Sequence, residues 1–290
     1  MQMAQSSSPR NLLLQYLFVL AFMLCAIFYA LPSWSMPSIA GQIEFVEGDV
    51  SIVNVAGQSR IPHVNDSLWV GDTISSGRDG ELHVHMDDEG YIALRPNTSL
   101  KVDAYTTKAT NDDNAILSLI KGTFRSITGW IGRNNPQKYR INVGPVATIG
   151  VRGTDHEPAY IPEHLPGEAS IGTPGAYDKV NSGKTFIQQP SGTIELGPQQ
   201  SGYASSDSKA APRLLDKVPD FYRPTKNEGR IDRRGKELST QIGKKHNARQ
   251  QQTRQMERYK AQAEHHPQLH HNIQRQKRLN HPQKHPKLSG

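Results

Sequence analysis

The 290-residue chain has one cysteine, Cys25, which lies inside an apolar run near the N-terminus. Everything after that run therefore lacks a thiol, a disulfide and any cysteine-ligated metal, so packing alone has to hold it together. Apolar residues make up 35% and aromatic residues 7%, too little for the whole length to be packed core. Signatures that would point to chemistry are missing as well. There is no Gly-x-x-x-x-Gly-Lys-Ser/Thr phosphate loop, no Gly-x-Gly-x-x-Gly opening a helix, no His-Glu-x-x-His zinc helix and no Gly-x-Ser-x-Gly elbow. These absences exclude the common nucleotide, metalloprotease and hydrolase readings. The sequence assigns no catalytic residue, no cofactor and no metal ligand, and reads as non-enzymatic.

What is present is unevenly divided. Residues 209–290 hold 20 of the 34 Lys and Arg but only 7 of the 27 Asp and Glu, which leaves residues 1–208 near −6 and the tail near +13. At the other end Arg10 precedes an uncharged run from Leu12 to Leu31, and Ser33 and Ser35 satisfy the small-residue pattern before Met36. Ser38 and Ala40 offer a second site before Gly41. Residues 1–35 thus read as a signal peptide, giving a periplasmic or secreted protein. If the run is not cleaved, it is long enough to be an inner-membrane anchor.

From Gly41 onward short alternating segments are punctuated by Gly, Asn and Asp about every ten residues, the pattern of an all-β domain. Strands are predicted at 42–46, 50–55, 68–74, 81–86, 91–94, 99–104, 115–120, 122–127, 139–143 and 146–151. In Leu82-His-Val-His-Met86 the apolar residues point one way, so His83 and His85 are predicted on the wet face. With Asp87, Asp88 and Glu89 they could bind a divalent ion, but a solvated face running into an acidic turn is the better reading. Four prolines place residues 155–175 in a connecting loop. Residues 184–189 and 193–196, flanking Pro190-Ser-Gly192, predict a hairpin.

The stretch Val146-Ala-Thr-Ile-Gly-Val-Arg-Gly-Thr-Asp-His-Glu-Pro158 gathers the interaction candidates Arg152, Gly153, Thr154, Asp155 and His156. Alternation makes 146–151 a strand, and Gly153 permits a turn or a close backbone approach. Arg152 is predicted to pair with a carboxylate in a buried or interfacial setting, and His156 to lie in a solvated loop.

The order Gly48-Asp-Val50, Gly71-Asp-Thr-Ile-Ser-Ser-Gly77, Gly90-Tyr-Ile-Ala-Leu-Arg-Pro-Asn97, Lys121-Gly-Thr-Phe124 and Val151-Arg-Gly-Thr154 resembles the FecR domain over about residues 41–157. The resemblance implies an extracytoplasmic all-β module whose founding members relay a signal from an outer-membrane receptor to a sigma factor. Only about ten residues precede Leu12, so the cytoplasmic anti-sigma segment of those founders is not expected. The implied role is that of the stand-alone members: protein recognition, signalling or scaffolding in the envelope.

The predicted organisation is a rolled or sandwich-like antiparallel β-domain at 41–157, a Pro/Gly loop and closing hairpin at 158–205, and a basic, His- and Gln-rich, largely disordered tail at 206–290. A partly helical stretch at 237–264 is conceivable, but its apolar residues are too sparse for a stripe. The expected partner is an envelope protein. Through the tail the chain could also contact an anionic envelope polymer or lipid surface, whereas nucleic acid is not expected of an exported chain. The alternative function is capture of metal or polyanion by that tail, through His246, His265, His266, His270, His271, His281 and His285 or through its cations.

Overall fold

The computed structural model describes residues 38–108, 112–163, 171–207 and 209–265. The predicted signal or anchor segment and the last 25 residues, with His266, His270, His271, His281 and His285, lie outside the described residues. His246 and His265 fall within the final helix. Among the described residues no helix is long and apolar enough to cross a membrane.

Alternating side chains and frequent turn residues produce β1 (Ile39–Glu47), β2 (Val50–Val53), β3 (Ser59–Arg60), β4 (Ser67–Trp69), β5 (Thr73–Ser76), β6 (Glu81–Met86), β7 (Tyr91–Leu94) and β8 (Ser99–Thr106). A long β9 (Asn114–Ile127) follows, then a single helical turn α1 (Trp130–Asn134), a 3-10 turn (Pro136–Lys138) and β10 (Tyr139–Val143). Two further long strands, β11 (Ala147–Ile161) and β12 (Gly175–Gln189), lead to β13 (Gly192–Leu196), β14 (Ser201–Ser205), β15 (Arg213–Leu215) and the terminal helix α2 (Glu228–His265). The all-β class holds.

All strands belong to one sheet that forks at β9. The first half of β9 lies between β8 and β10, and its second half between β7 and β11. One branch continues β8, β5, β2, β3 and the other β7, β6, β1, β4. The branches meet again where Gly71 N–H donates to the Val102 carbonyl and Val102 N–H to the Asp72 carbonyl. The sheet is thereby rolled around Ile43, Ile52, Ile74, Leu82, Leu94, Leu100, Leu119 and Phe124, all inaccessible to solvent. Pairing is antiparallel except between β9 and β10, which run parallel because the α1 crossover joins them.

Three differences from the sequence reading matter for the site. First, β11 does not stop at Val151. It bends and continues through the predicted loop to Ile161, pairing with β12 along its length. At the bend Gly153 has φ +60° and faces Gly183 at φ +79°, and a side chain on Gly183 would overlap the Gly153 carbonyl. Pro158 is tolerated within β11 because its register with β9 passes from His156 to Ala159.

Second, two predicted strands, 115–120 and 122–127, are one strand, while 68–74 is two, β4 and β5, separated by a turn. The predicted hairpin is present as β12 and β13. In the neighbouring ladder Gly150 pairs with Phe186, whose ring covers the space a side chain at 150 would need.

Third, packed structure continues past residue 205. Tyr222, Ile231 and Leu238 are all buried, the last two at 0% exposure. The apolar residues of this segment are too few to form a stripe visible in the sequence. What they lack in area is made up by ion pairs with the sheet.

Candidate functional site

Strand alternation sorts the side chains of the roll into the interior and one outer face. On the outer face the cross-strand register lines up Phe45, His83, Ala93 and Arg125, and beside them Tyr91, Ile127 and Asp155. Glu157 pairs with Lys179 in the next ladder. Arg95 follows directly after β7. The result is a patch of two arginines, several carboxylates and a short apolar strip of Tyr91, Ala93 and Ile127.

Both arginines act as forks. Arg95 donates from Nη2 to Glu157 Oε2 at 2.6 Å and from Nη1 to Glu228 Oε2 at 2.9 Å. Arg125 holds Asp155 with Nε at 2.9 Å and Nη2 at 2.6 Å, while its Nη1 reaches Glu228 Oε1 and Asp232 Oδ1, each at 2.7 Å. Lys179 donates to Glu157 at 2.7 Å, and Asn181 donates to both Asp155 and Glu157 at 3.2 Å. Arg95 and Glu157 are 8% and 3% exposed at their side chains, so water screens their attraction little.

These contacts shift proton affinities. Burial works against charge on Glu157, but Arg95, Lys179 and Asn181 overcome it and hold the carboxyl below its usual range. Glu228 behaves the same way: burial opposes ionisation, and the two arginines with the Thr225 amide outweigh it. Glu81 is also lowered, with burial outweighed by His83, Asn227 and Thr225.

The C-terminal segment covers the patch. Ile231 and Leu238, seven residues apart on one face of α2, pack on Tyr91, Ala93 and Ile127. Arg230 stacks over Phe45 at 4.6 Å, Arg234 donates to Glu44 at 2.5 Å, and Lys226 and Asn227 reach Glu47 at 2.7 and 3.0 Å. Between segment and sheet a cleft of about 330 Å³ remains, lined by Arg95, Glu157, Lys179, Tyr222 and Glu228 among others.

The predicted residues are divided by the strand that carries them. Arg152 is exposed rather than buried against a carboxylate, because it lies just before the bend, opposite Lys184 and outside the network. Gly153 forms the bend. Thr154 is buried, its N–H donating to Thr128 Oγ1. Asp155 joins the outer network. His156 is not in a solvated loop: it is inaccessible and its Nδ1 lies 2.9 Å from Asp178 Oδ1, itself inaccessible. His83 keeps the outer face that alternation predicts but is not wet, because that face is covered: it lies between Glu81 at 2.6 Å and Tyr91 Oη at 3.1 Å, against the Phe45 ring, with Thr225 and Asn227 of the C-terminal segment on the same Glu81. His85 is partly exposed beside Glu44 and Glu89. Among the described residues no three His, Cys, Asp or Glu side chains are placed to share a metal.

Sequence reasoning missed Arg95, Arg125, Glu157, Glu228 and Asp232. Arg95 stood inside a quoted motif and Arg125 at an outward position of a recognised strand. Their partners lie up to 133 residues away, a separation over which residue spacing carries no signal. Chemically, the network holds no activated nucleophile; its forks recognise carboxylates.

Residues 72–163 match the family model described as FecR protein, a span from the end of the β4–β5 turn to just beyond β11. No curated protein matches the sequence. Two crystal structures of a proposed anti-sigma factor from Parabacteroides distasonis ATCC 8503 resemble the chain at 15% and 16% identity, with TM-scores of 0.39 and 0.38. Each alignment covers 51% of this chain and 60% of that one.

Proposed function

We propose that this chain, with a FecR-type domain across residues 72–163, is an exported, non-enzymatic component of the cell envelope that recognises another protein in signalling or scaffolding. The family match carries the reading. Three features support it: the secretory pattern of residues 1–35, a sheet face whose arginines are arranged for carboxylate recognition, and the lack of catalytic sequence motifs. The expected location is periplasmic or secreted after cleavage, or inner-membrane anchored otherwise.

The test is photo-crosslinking in intact cells from positions on the outer face, with identification of the captured protein. A specific envelope protein, retained when residues 245–290 are deleted, supports recognition by the β-domain. Capture that disappears with that deletion, or bulk polyanion alone, shifts the function to the tail. The basic and histidine-rich composition of residues 245–290 motivates that second reading. Anion binding by the tail would weaken as salt shortens the screening length from about 10 Å at 0.1 M to about 3 Å at 1 M. Imidazole binding of zinc would survive salt and fade below about pH 6.5.

A further inference from the structure

We infer that the outer face under α2 is a receptor for a helix of a partner protein that carries two carboxylates one turn apart, and that residues 225–238 of this chain occupy it in cis until that partner displaces them. The inference rests on the recognition reading and names the chemistry of the partner.

Each arginine divides its fork between sheet and helix. Arg95 gives Nη2 to Glu157 at 2.6 Å, with a longer 3.3 Å contact to Glu228, and Nη1 to Glu228 at 2.9 Å, whereas Arg125 gives Nε and Nη2 to Asp155 and Nη1 to Glu228 and Asp232. When α2 leaves, Asp155 and Glu157 still hold both guanidinium groups in place, and Lys179 and Asn181 still hold those carboxylates. The face therefore keeps its shape with one Nη1 of each arginine turned outward. That is a pre-organised site for two carboxylates one helical turn apart.

Within α2 the apolar share of the contact is small, since Ile231 and Leu238 are its only buried apolar residues among those described, while Tyr222, packed with Ala159, Ile161, Tyr177 and Tyr203, anchors the chain just ahead of it. A docked segment that depends mostly on ion pairs and is tethered through Pro219 and Pro224 can exchange with a competitor of the same pattern. That pattern is Glu-x-x-Ile-Asp with a second aliphatic residue seven positions after the first. The cis segment is the template for the partner's chemistry.

The probe is a labelled peptide of residues 222–242 of this chain, titrated against the full chain and against the full chain carrying Ile231→Asp and Leu238→Asp, which release α2 without altering the face. The released variant is expected to bind at least about tenfold more tightly, because the cis segment no longer competes. Arg125→Glu in that background should lower affinity at least about tenfold, and a peptide with Asp232→Arg, at the position that pairs with Arg125 but not with Arg95, should restore it. Equal binding to native and released chains, or indifference to the charge exchange, overturns the inference. So does dimerisation of the native chain through α2, which would make a second copy the occupant. Hydrogen exchange on the native chain adds a reading independent of variant folding: amides of residues 232–238 should exchange at least about a hundredfold faster than those of β9. Equal rates would show that the segment opens only with the whole fold. Failure here leaves recognition by another surface standing, whereas empty crosslinking in cells removes recognition itself.

Discussion

Arg95→Met tests whether the outer network supports the fold. The substitution keeps much of the side-chain volume but removes the fork that joins Glu157 at 2.6 Å and Glu228 at 2.9 Å. Glu228 retains Arg125 and is partly solvated. Glu157 is only 3% exposed and keeps Lys179 and Asn181. Removing one partner of a buried pair costs about 3–5 kcal/mol, and the two surviving donors place this case near the lower end, about 3 kcal/mol. Urea unfolding followed by the fluorescence of Trp69 and Trp130 reads the change. With a slope of about 1–3 kcal/mol per molar, the midpoint should fall by about 1–3 M. The companion Arg95→Met with Glu157→Met removes both charges and lets Lys179, 22% exposed, turn to solvent. It should regain at least about 1 kcal/mol over the single substitution, since an apolar pair can replace a buried ionic one at little cost. A single-variant loss below about 1 kcal/mol, or a double variant weaker than the single, would refute the account.

Other outcomes follow from the same structure. His156→Ala should destabilise the domain by about 3 kcal/mol by leaving Asp178 buried without its partner, whereas Arg152→Ala, on an exposed side chain, should stay within about 0.5 kcal/mol in the same assay. Gly183→Val should cost about 1–3 kcal/mol or more in thermal melts, since φ is +79° and the Gly153 carbonyl occupies the space. The carboxyls of Glu81, Glu157 and Glu228 are held below their usual range, so their contribution is complete above the unfolded value of about 4.3 and is lost as pH falls through the folded values. Stability measured from pH 7 to pH 3 should therefore be nearly level to about pH 5 and then drop, with Asp88, raised by burial, acting in the opposite direction. A profile that rises below pH 4 would contradict the assignment of these pairs.

The legible part of the fold was local. Strands such as 81–86, 91–94 and 139–143 coincide with β6, β7 and β10 because alternation and turn residues act within a few positions. Pro158 misled because the rule against proline in strands assumes ladders on both sides, and here the β9 register passes over it. His83 and His156 misled for a related reason. Alternation puts His83 on an outer face that distant residues cover, and four prolines predict a loop where His156 lies in β11, so each is buried with a specific acidic neighbour, Glu81 or Asp178. The segment from Tyr222 to Leu238 was illegible because it is held by Glu228, Asp232, Arg230 and Arg234 as much as by its two aliphatic anchors, and hydropathy counts such residues as solvent-facing.

The ring of Phe186 over Gly150 has a consequence for how this sequence can drift. The two positions are 36 residues apart in the chain but opposite each other in the sheet, and the glycine has no room for a side chain while the ring stays. A larger residue at 150 is tolerable only after the aromatic at 186 has shrunk, and loss of the ring first would leave bare backbone in its place. Neither step is neutral alone. Tyr160 over Gly144 and Tyr203 over Gly175 differ, because φ of +51° and +150° and, at Gly175, the Ala204 carbonyl fix those glycines whatever the ring does. Among relatives that keep this sheet, Gly150 and Phe186 should therefore persist or be replaced together, so that the pair registers as covariation between columns that look unrelated in the linear sequence.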